Sequence, residues 1–470
     1  MFSPAELAEA VEGELINPQP REISGFSIDT RSLNVGDFFV PLSGSRTDGH
    51  RFLEEAFEKG ASGSFVRSSD YAHDELINII LVDDTGEALL KAASNYRNLF
   101  EIPIVGITGS WGKTTTKELI SSILSESGKV HKSPGNYNTE YGLPLSLLEM
   151  EKDVDYGVFE LGLQYPGDVK KLSEILVPTY GLITGVGKVH SENFNSVREI
   201  AREKLELSAG METEGKIIIN IDSQELLRES KSLTDFQFVS YGTEAADPDY
   251  YPTEVEVRGL DGISFKLNEP AEEDNFTLSL ESGLNSRANV INVLGASAIS
   301  MEMDIPDSAI REGVKIRPLS QRLNPIDFSR GTIIDDTYNA NPLATKAALN
   351  YFSGFNPEDE KILVFGDMKE LGEDSRKLHR ELAPHVRDAG VNTVLGFGKF
   401  TRALVNHLIN EKNEENKPVN AEWFESKAEL LERLDQLLTG GENMILVKGS
   451  RSMKMEEVVD FLLDKGNSSL

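Results

Sequence analysis

The sequence predicts an α/β protein of three domains, two of them built on mostly parallel sheets. Three observations carry this. The chain has 470 residues, enough for about two to four domains of roughly 100–200 residues. From Ile102 onward, continuous apolar runs alternate with longer helical stretches, as expected of strands buried on both faces of a parallel sheet. The alternation begins afresh near residue 331, so a second such sheet is expected.

Each element follows from its residues. Ser3, Pro4 and Glu6 read as a helix start, with Ser at the N-cap, Pro at N1 and Glu at N3. The run Gly25–Val40 reads as two strands around a polar turn, and Phe52–Gly60 as a helix ending at its glycine. Strands are then expected at Ile102–Thr108, Tyr156–Leu161, Tyr180–Thr184 and Lys216–Ile221. Ala245–Glu273, rich in Pro, Asp and Glu, reads as a β-rich insertion. The second set is Thr332–Asp335, Ile362–Phe365, Thr393–Leu395 and Met444–Val447. The join falls near Gly313–Arg322, which is also the expected hinge. The expected domains are residues 1–100, 101–315 and 316–470. No internal repeat or low-complexity tract interrupts them.

Hydrophobic residues make up 39% and charged residues 27%, ordinary values for a globular chain. They exclude a disordered tail, a collagen and a membrane bundle, and no apolar run approaches the ~18 residues of a membrane span. There is no cysteine, hence no disulfide, thiolate metal site or Cys nucleophile. The N-terminal segment lacks a basic n-region and an apolar h-region, so a cytoplasmic protein is expected. Lys plus Arg number 47 against 78 Asp plus Glu, a net charge of −31. That disfavours nucleic acid. An acidic chain that binds a phosphorylated small molecule must gather N–H groups, Lys, Arg and metal ions in one place.

The sharpest local signal is Ile102–Lys117, a strand, a Gly/Ser turn and then a helix. Gly109, Ser110 and Gly112 shape the turn, whose N–H groups would cradle phosphates. Lys113 would reach the β- and γ-phosphates, and Thr114, followed by Thr115, would hold Mg²⁺. The strict pattern G-x-x-x-x-G-K-[ST] is not met, because its first glycine position is Ile107. The bland reading is a glycine turn that binds nothing, and the strand–loop–helix context argues against it. No Asn-Lys-x-Asp signature is present, which favours ATP over GTP.

In a parallel sheet, ligands collect at the carboxyl ends of strands. Glu160 closes one such strand, and His190 follows the next. Glu160 is either a magnesium ligand or an exposed strand end; His190 is either a ligand or a loop histidine. Lys204 lies in Arg198–Gly210, read as a helix whose apolar arc is Ile200, Ala201, Leu205 and Leu207. Lys204 falls inside that arc, whereas Arg202, Glu203 and Glu206 lie outside it. It either snorkels outward or points into a site, where a desolvated amine becomes reactive, including towards CO₂.

These residues resemble the Mur ligases, ATP-dependent amide-forming enzymes of peptidoglycan synthesis. Gly106–Lys117 matches the family's phosphate loop, including its departure from the strict pattern, and Gly135–Pro144 matches a substrate-side loop. Glu160, His190 and Lys204 match its magnesium ligands and carbamylated lysine. Three segments, Asp335–Pro342, Gly366–Gly372 and Lys448–Arg451, are similar to the branch that adds D-alanyl-D-alanine. Asp29-Thr30-Arg31, Gly36–Val40 and Asp48–His50 are similar to the UDP-binding domain.

The resemblance implies a small α/β UDP-binding domain, a central P-loop-type ATPase domain and a Rossmann-like third domain. It implies a monomer that binds ATP, UDP-MurNAc-tripeptide and D-Ala-D-Ala. Two Mg²⁺ are implied, one at Thr114 and Glu160, the other at His190 and carbamylated Lys204. Asn289 and Asn292 are implied as nucleotide contacts from the central domain. Arg322, Asp336 and Asn341 would reach ATP from the third domain, with Asp336 at the ribose and Tyr338 lining the adenine pocket. Asp29, Thr30, Arg31, Asn136, Asn138 and Thr139 are implied on the substrate side. Two positions depart from the family pattern: Ala288 stands where a His is usual, and Gln321 precedes Arg322 where a Gly is usual. The competing readings are a related amide ligase of the folylpolyglutamate synthase type, and a nucleotide-dependent switch without turnover.

Overall fold

The apolar runs become strands where both of their faces are covered. A computed structural model describes residues 2–44, 47–71, 78–187, 193–244, 247–270, 276–356, 360–410, 418–438 and 443–467. It contains two six-stranded sheets, one five-stranded sheet and one three-stranded sheet.

The first helix, Pro4–Ala10, starts on a full capping box. Ser3 Oγ accepts from the Glu6 N–H, and the Glu6 carboxylate accepts from the Ser3 N–H. The five-stranded sheet follows, with Glu14–Leu15 antiparallel to Ile79–Leu81 and the remaining pairs parallel. Gly25–Ser27 and Asp37–Phe39 are the two strands expected in Gly25–Val40, but they run parallel and do not form a hairpin. Asp29 and Asp37 capture the N–H groups of Arg31 and Asn34, so the intervening segment folds as a loop. The helix Thr85–Arg97 ties this unit to the next: the buried Arg97 guanidinium donates to the carbonyls of Leu176, Phe100 and Val177.

The central sheet runs Gln237–Tyr241, Lys216–Asn220, Tyr180–Ile183, Ile104–Thr108, Tyr156–Glu160, Val130–Lys132, every pair parallel. Ile104–Thr108 is buried along its whole length. One sheet face packs against a core shared with the N-terminal unit. The other packs against the helices Lys113–Ser125 and Arg287–Glu302 and the insertion. That insertion is a three-stranded antiparallel sheet, Tyr251–Val257, Ile263–Glu269 and Phe276–Ser282.

The third sheet carries Gly331–Asp336, Asn443–Lys448, Glu360–Gly366, Thr393–Phe397 and Asn420–Phe424 in parallel. An antiparallel edge strand, Asn324–Phe328, precedes them. Separate apolar clusters cover its two faces. The strand ends Glu160 and Asp336 open on one cleft between the central and third sheets.

Candidate active site

The phosphate turn is shaped by its glycines. Gly109 has φ +152° and Gly112 φ +78°. A Cβ on Gly109 would overlap the Thr184 hydroxyl, and one on Gly112 the Asn292 side-chain oxygen, so both positions need glycine. The turn is braced from behind. Ser110 N–H donates to Gly185 O at 2.9 Å, Gly187 N–H donates to Ser110 Oγ at 3.1 Å, and the Thr184 hydroxyl donates to Trp111 O. The helix Lys113–Ser125 begins directly after Gly112 without a side-chain cap. Its free N–H groups and positive end face the cleft and suit an anion.

That cleft has a volume of about 1130 Å³. It brings together Gly109, Ser110, Gly112, Lys113, Thr114 and Thr115 of the turn with Asn136, Asn138, Thr139 and Glu160. Asn289 and Asn292 form one wall, and Arg322, Asp336, Tyr338 and Asn341 reach in from the third sheet. Lys113 donates to Gly109 O at 2.8 Å; burial lowers its pKa, with Glu160 opposing and Arg322 adding to the shift. Arg322 donates to Thr114 Oγ1 at 2.7 Å and stacks 4.0 Å over the Tyr338 ring. It bridges two units and is no surface arginine. Asp336 accepts from Lys448 Nζ at 2.5 Å and from the Leu323 N–H at 3.3 Å. Asn292 donates to Asn289 at 3.0 Å. The Asn341 side-chain oxygen caps the helix Pro342–Ser353 by accepting from the Ala344 N–H. Its turn chemistry and its place in the cleft therefore coexist.

Glu160 is buried. Its N–H donates to Ser133 Oγ, and its Oε2 accepts from Asn138 at 3.2 Å. Oε1 has no hydrogen-bond partner. A bare, buried carboxylate oxygen in the same cleft as the Thr114 hydroxyl fits a hard divalent cation. Among the described residues no cluster of three or more acidic or His side chains could hold a metal alone. Nucleotide oxygens and water would have to complete any shell here.

Lys204 is 1% exposed and does not line the cleft. Burial holds its pKa well below the ordinary lysine range, the nearby Lys113 charge adds to this, and Glu203 opposes it. The helix is Val197–Leu205, continued by a 3₁₀ turn, Glu206–Gly210. Glu203 corrects the sequence reading: it is buried, not on the outer side. Its Oε1 accepts from the N–H groups of Gly167 and Val169, because the helix Asp168–Leu176 starts at Gly167 without a side-chain cap. His190 lies outside the described residues. Asp29, Thr30 and Arg31 are not brought to this cleft. Asp29 is bonded to Arg31, which lowers its pKa to about 2, and Thr30 offers its carbonyl to Lys59.

The departure at position 321 has a local explanation. Gln321 adopts φ +62°, the left-handed conformation that glycine reaches without strain. Its carbonyl accepts from the Tyr338 N–H and its side chain from Arg451. At the other departure, Ala288 lines the cleft, and its N–H donates to Ser286, which caps the helix Arg287–Glu302.

Of the buried lysines besides Lys204, namely Lys117, Lys361 and Lys448, two stand beside the cleft carboxylates, although neither has a role of its own in the sequence reading. Lys117 sits behind Glu160, and Lys448 on Asp336. Lys117 had a readable signal: it shares a helical face with Ile120 and Leu124, as Lys204 shares one with apolar neighbours. Lys448 ends a fully buried strand, where a polar residue at the carboxyl edge of a parallel sheet faces the ligand side.

Residues 107–300 match the Mur ligase middle domain, and residues 321–451 match the Mur ligase glutamate ligase domain. A curated relative is 33% identical over 462 residues, covering 97% of each chain. It is the UDP-N-acetylmuramoyl-tripeptide–D-alanyl-D-alanine ligase of Bacillus subtilis (strain 168). The chain belongs to the Mur ligase family. Among solved structures, MurF from Acinetobacter baumannii superposes with a TM-score of 0.87 at 27% identity, covering 98% of this chain and 99% of that one. MurF ligase from Thermotoga maritima, solved in complex with ADP, gives 0.78 at 25% identity, covering 96% and 100%. As a Mur ligase with this cleft, the chain is an ATP-dependent amide ligase. Among the described residues no helix is long and apolar enough to cross a membrane.

Proposed function

We propose that this Mur ligase adds D-alanyl-D-alanine to UDP-N-acetylmuramoyl-tripeptide in peptidoglycan precursor synthesis for the cell wall. The observation that carries the reading is the cleft. A phosphate turn, a buried carboxylate with a bare oxygen and a cationic third-domain wall converge in a chain similar over its whole length to ligases of that name.

A carboxylate is a poor acyl donor because its leaving group would be oxide. In the proposed reaction the tripeptide's terminal carboxylate attacks the γ-phosphorus of ATP. The bond to the β-bridging oxygen breaks, giving ADP and an acyl phosphate. The amine of D-Ala-D-Ala then attacks the acyl carbon and loses a proton, and phosphate leaves as the amide forms. Negative charge spreads over the transferring oxygens, so positioned donors carry the rate. Lys113 and the first N–H groups of its helix, which line the cleft, would serve those oxygens. Arg322 brings a guanidinium from the third domain onto the same turn, which couples domain closure to catalysis. Asn136, Asn138 and Thr139 would hold the acceptor side near Glu160. Asp29, Thr30 and Arg31 would serve the UDP end.

Thr114 and Glu160 would hold one Mg²⁺; His190 and a carbamate on Lys204 would hold a second. Such ions supply positive charge beside the phosphates. Carbamylation joins Nζ to the carbon of CO₂ with loss of one proton, and the lowered pKa of the buried amine favours it. The domains are assigned as residues 1–100, 101–315 and 316–470. A monomer is part of the proposal, and the ATP and UDP-linked substrates suit the cytoplasm.

The test is phosphate release from purified protein with ATP, Mg²⁺, UDP-MurNAc-tripeptide and D-Ala-D-Ala, each omitted in turn. Release that needs all four, with a UDP-MurNAc-pentapeptide product, is expected. Turnover indifferent to D-Ala-D-Ala, or supported by a folate and glutamate, would overturn the reading. Varying the third stem residue between lysine and diaminopimelate in the same assay fixes the substrate type.

A further inference from the structure

Lys117 belongs to the phosphate helix, one turn beyond Lys113, yet its side chain points away from the cleft. It is fully buried, which is rare for a lysine and requires its ammonium to be satisfied. An ammonium has three donors. Two go to the carbonyls of Ser133 at 2.7 Å and Gly135 at 3.2 Å. The third direction faces Glu118 Oε1 at 3.3 Å. Glu160 Oε1 stands 3.8 Å from the same nitrogen, beyond hydrogen-bond reach. This is the oxygen left without any partner.

The charge of Lys117 therefore acts on Glu160 while its hydrogens are spent elsewhere. A direct ion pair would occupy the lone pairs of Oε1; this arrangement leaves them bare. The Gly135 carbonyl begins the Gly135–Pro144 loop, and Asn138 of that loop holds Oε2. Ser133 Oγ fixes the Glu160 backbone from the other side. Lys117 thus joins the phosphate helix, the substrate-side loop and the Glu160 strand end.

We propose that Lys117 is a positioning residue: an offset counter-charge that holds the Glu160 carboxylate in place with one oxygen free for a divalent cation. This rests on the reading of Glu160 as a magnesium ligand. Removing the charge leaves Glu160 without its electrostatic anchor, so Oε1 turns to protein donors or water and binds a cation less well.

Three variants separate charge from structure. Lys117→Gln keeps donors for the two carbonyls and drops the charge, Lys117→Arg keeps the charge, and Lys117→Met drops both. Calorimetry reads ATP affinity with and without Mg²⁺; thermal unfolding and steady-state kinetics complete the set. For Lys117→Gln, ATP affinity without Mg²⁺ and melting temperature are expected near wild type. The Mg²⁺-dependent gain in affinity should fall several-fold, and kcat about tenfold or more, with KM for the peptide substrate within about threefold. Lys117→Arg should recover part of both. If Lys117→Gln is too unstable to assay, Lys117→Arg carries the test, because a role in charge predicts Mg²⁺ coupling retained with that residue.

A Lys117→Gln protein with wild-type kcat and an unchanged Mg²⁺ gain would overturn the proposal, as would loss of Mg²⁺ coupling in Lys117→Arg at normal stability. Wild-type protein that turns over all four components while Lys117→Gln matches it defeats this inference alone. Wild-type protein without turnover or Mg²⁺-dependent ATP binding defeats the underlying reading.

Discussion

Replacing Lys448 with methionine removes the cation from a buried pair and leaves the Asp336 carboxylate without its ion-pair partner. Lys448 and Asp336 are 2.5 Å apart, with side chains 2% and 13% exposed. Lys448 also donates to the Asn339 carbonyl at 2.9 Å, so the substitution strands two acceptors. Breaking a buried pair from one side costs about 3–5 kcal/mol. The partial exposure of Asp336 argues for the lower end, about 3 kcal/mol. The double variant Lys448→Met, Asp336→Leu removes the stranded carboxylate as well. Relative to the single variant it also gives up the Leu323 N–H bond, worth about 1 kcal/mol, and the Asn339 carbonyl stays stranded in both, so it should regain part of the loss. Urea unfolding followed by Trp423 fluorescence, in a Trp111→Phe background, reads this locally. Trp423 donates to Gly398 O at 2.7 Å inside the third sheet, and the chain has only two tryptophans. With a slope of about 2 kcal/mol/M, the single variant should lose roughly 1.5 M in midpoint. Equal shifts in the single and double variants would refute the reasoning, because the cost would then lie in lost packing and not in an uncompensated charge.

Gly112→Ala places a methyl group on the Asn292 oxygen in a left-handed conformation. Strain of about 1–2 kcal/mol in the phosphate turn should weaken ATP binding by about tenfold or more, measured by calorimetry. Lys204→Glu should keep partial turnover and Lys204→Ala very little; a fully active alanine variant in the phosphate-release assay would rule out an anionic role there. His379 is buried, accepts the Met368 N–H at Nε2 and bonds Ser375 O through Nδ1; burial lowers its pKa. Its folded pKa lies below the unfolded value near 6.5. Its contribution to stability is therefore complete above that value and is lost as pH falls below it. The Trp423-reported urea midpoint should drop as pH falls below about 6.5, and less so in His379→Gln.

What the sequence revealed tracks how local the physics is. The phosphate turn was legible because chain geometry alone dictates Gly109, Gly112 and Lys113 in order. Strands such as Ile104–Thr108 were legible because burial on both faces demands a continuous apolar run. Val130–Lys132 was not, since an edge strand reading Val-His-Lys carries no such run. The parallel pairing of Gly25–Ser27 with Asp37–Phe39 was hidden because side-chain capture of backbone N–H groups, not a turn signal, decides the path between them. Glu203 was misplaced because its partner, an uncapped helix start at Gly167, lies far away in sequence. Lys204 stood out by helical phase; Lys117 could have been found by the same reasoning. Gln321 as a residue type does not signal its left-handed backbone; the only hint was that glycine is usual at this position in the family.

The cleft is close to charge balance inside a chain that is far from it. Its described walls carry Lys113, Lys171, Arg322, Lys369, Lys448 and Arg451 against Glu140, Glu160, Asp168, Asp336 and Glu370, while the whole chain bears −31. An approaching nucleotide is itself an anion. Within about 8 Å of the surface, the screening length at physiological ionic strength, it meets the field of the acidic body, and inside the cleft it meets fixed donors. Long-range attraction, which speeds encounter in oppositely charged pairs, is replaced here by a repulsive approach. Dissolved salt then lowers a barrier instead of removing an attraction, so the rate of nucleotide capture is expected to rise with ionic strength.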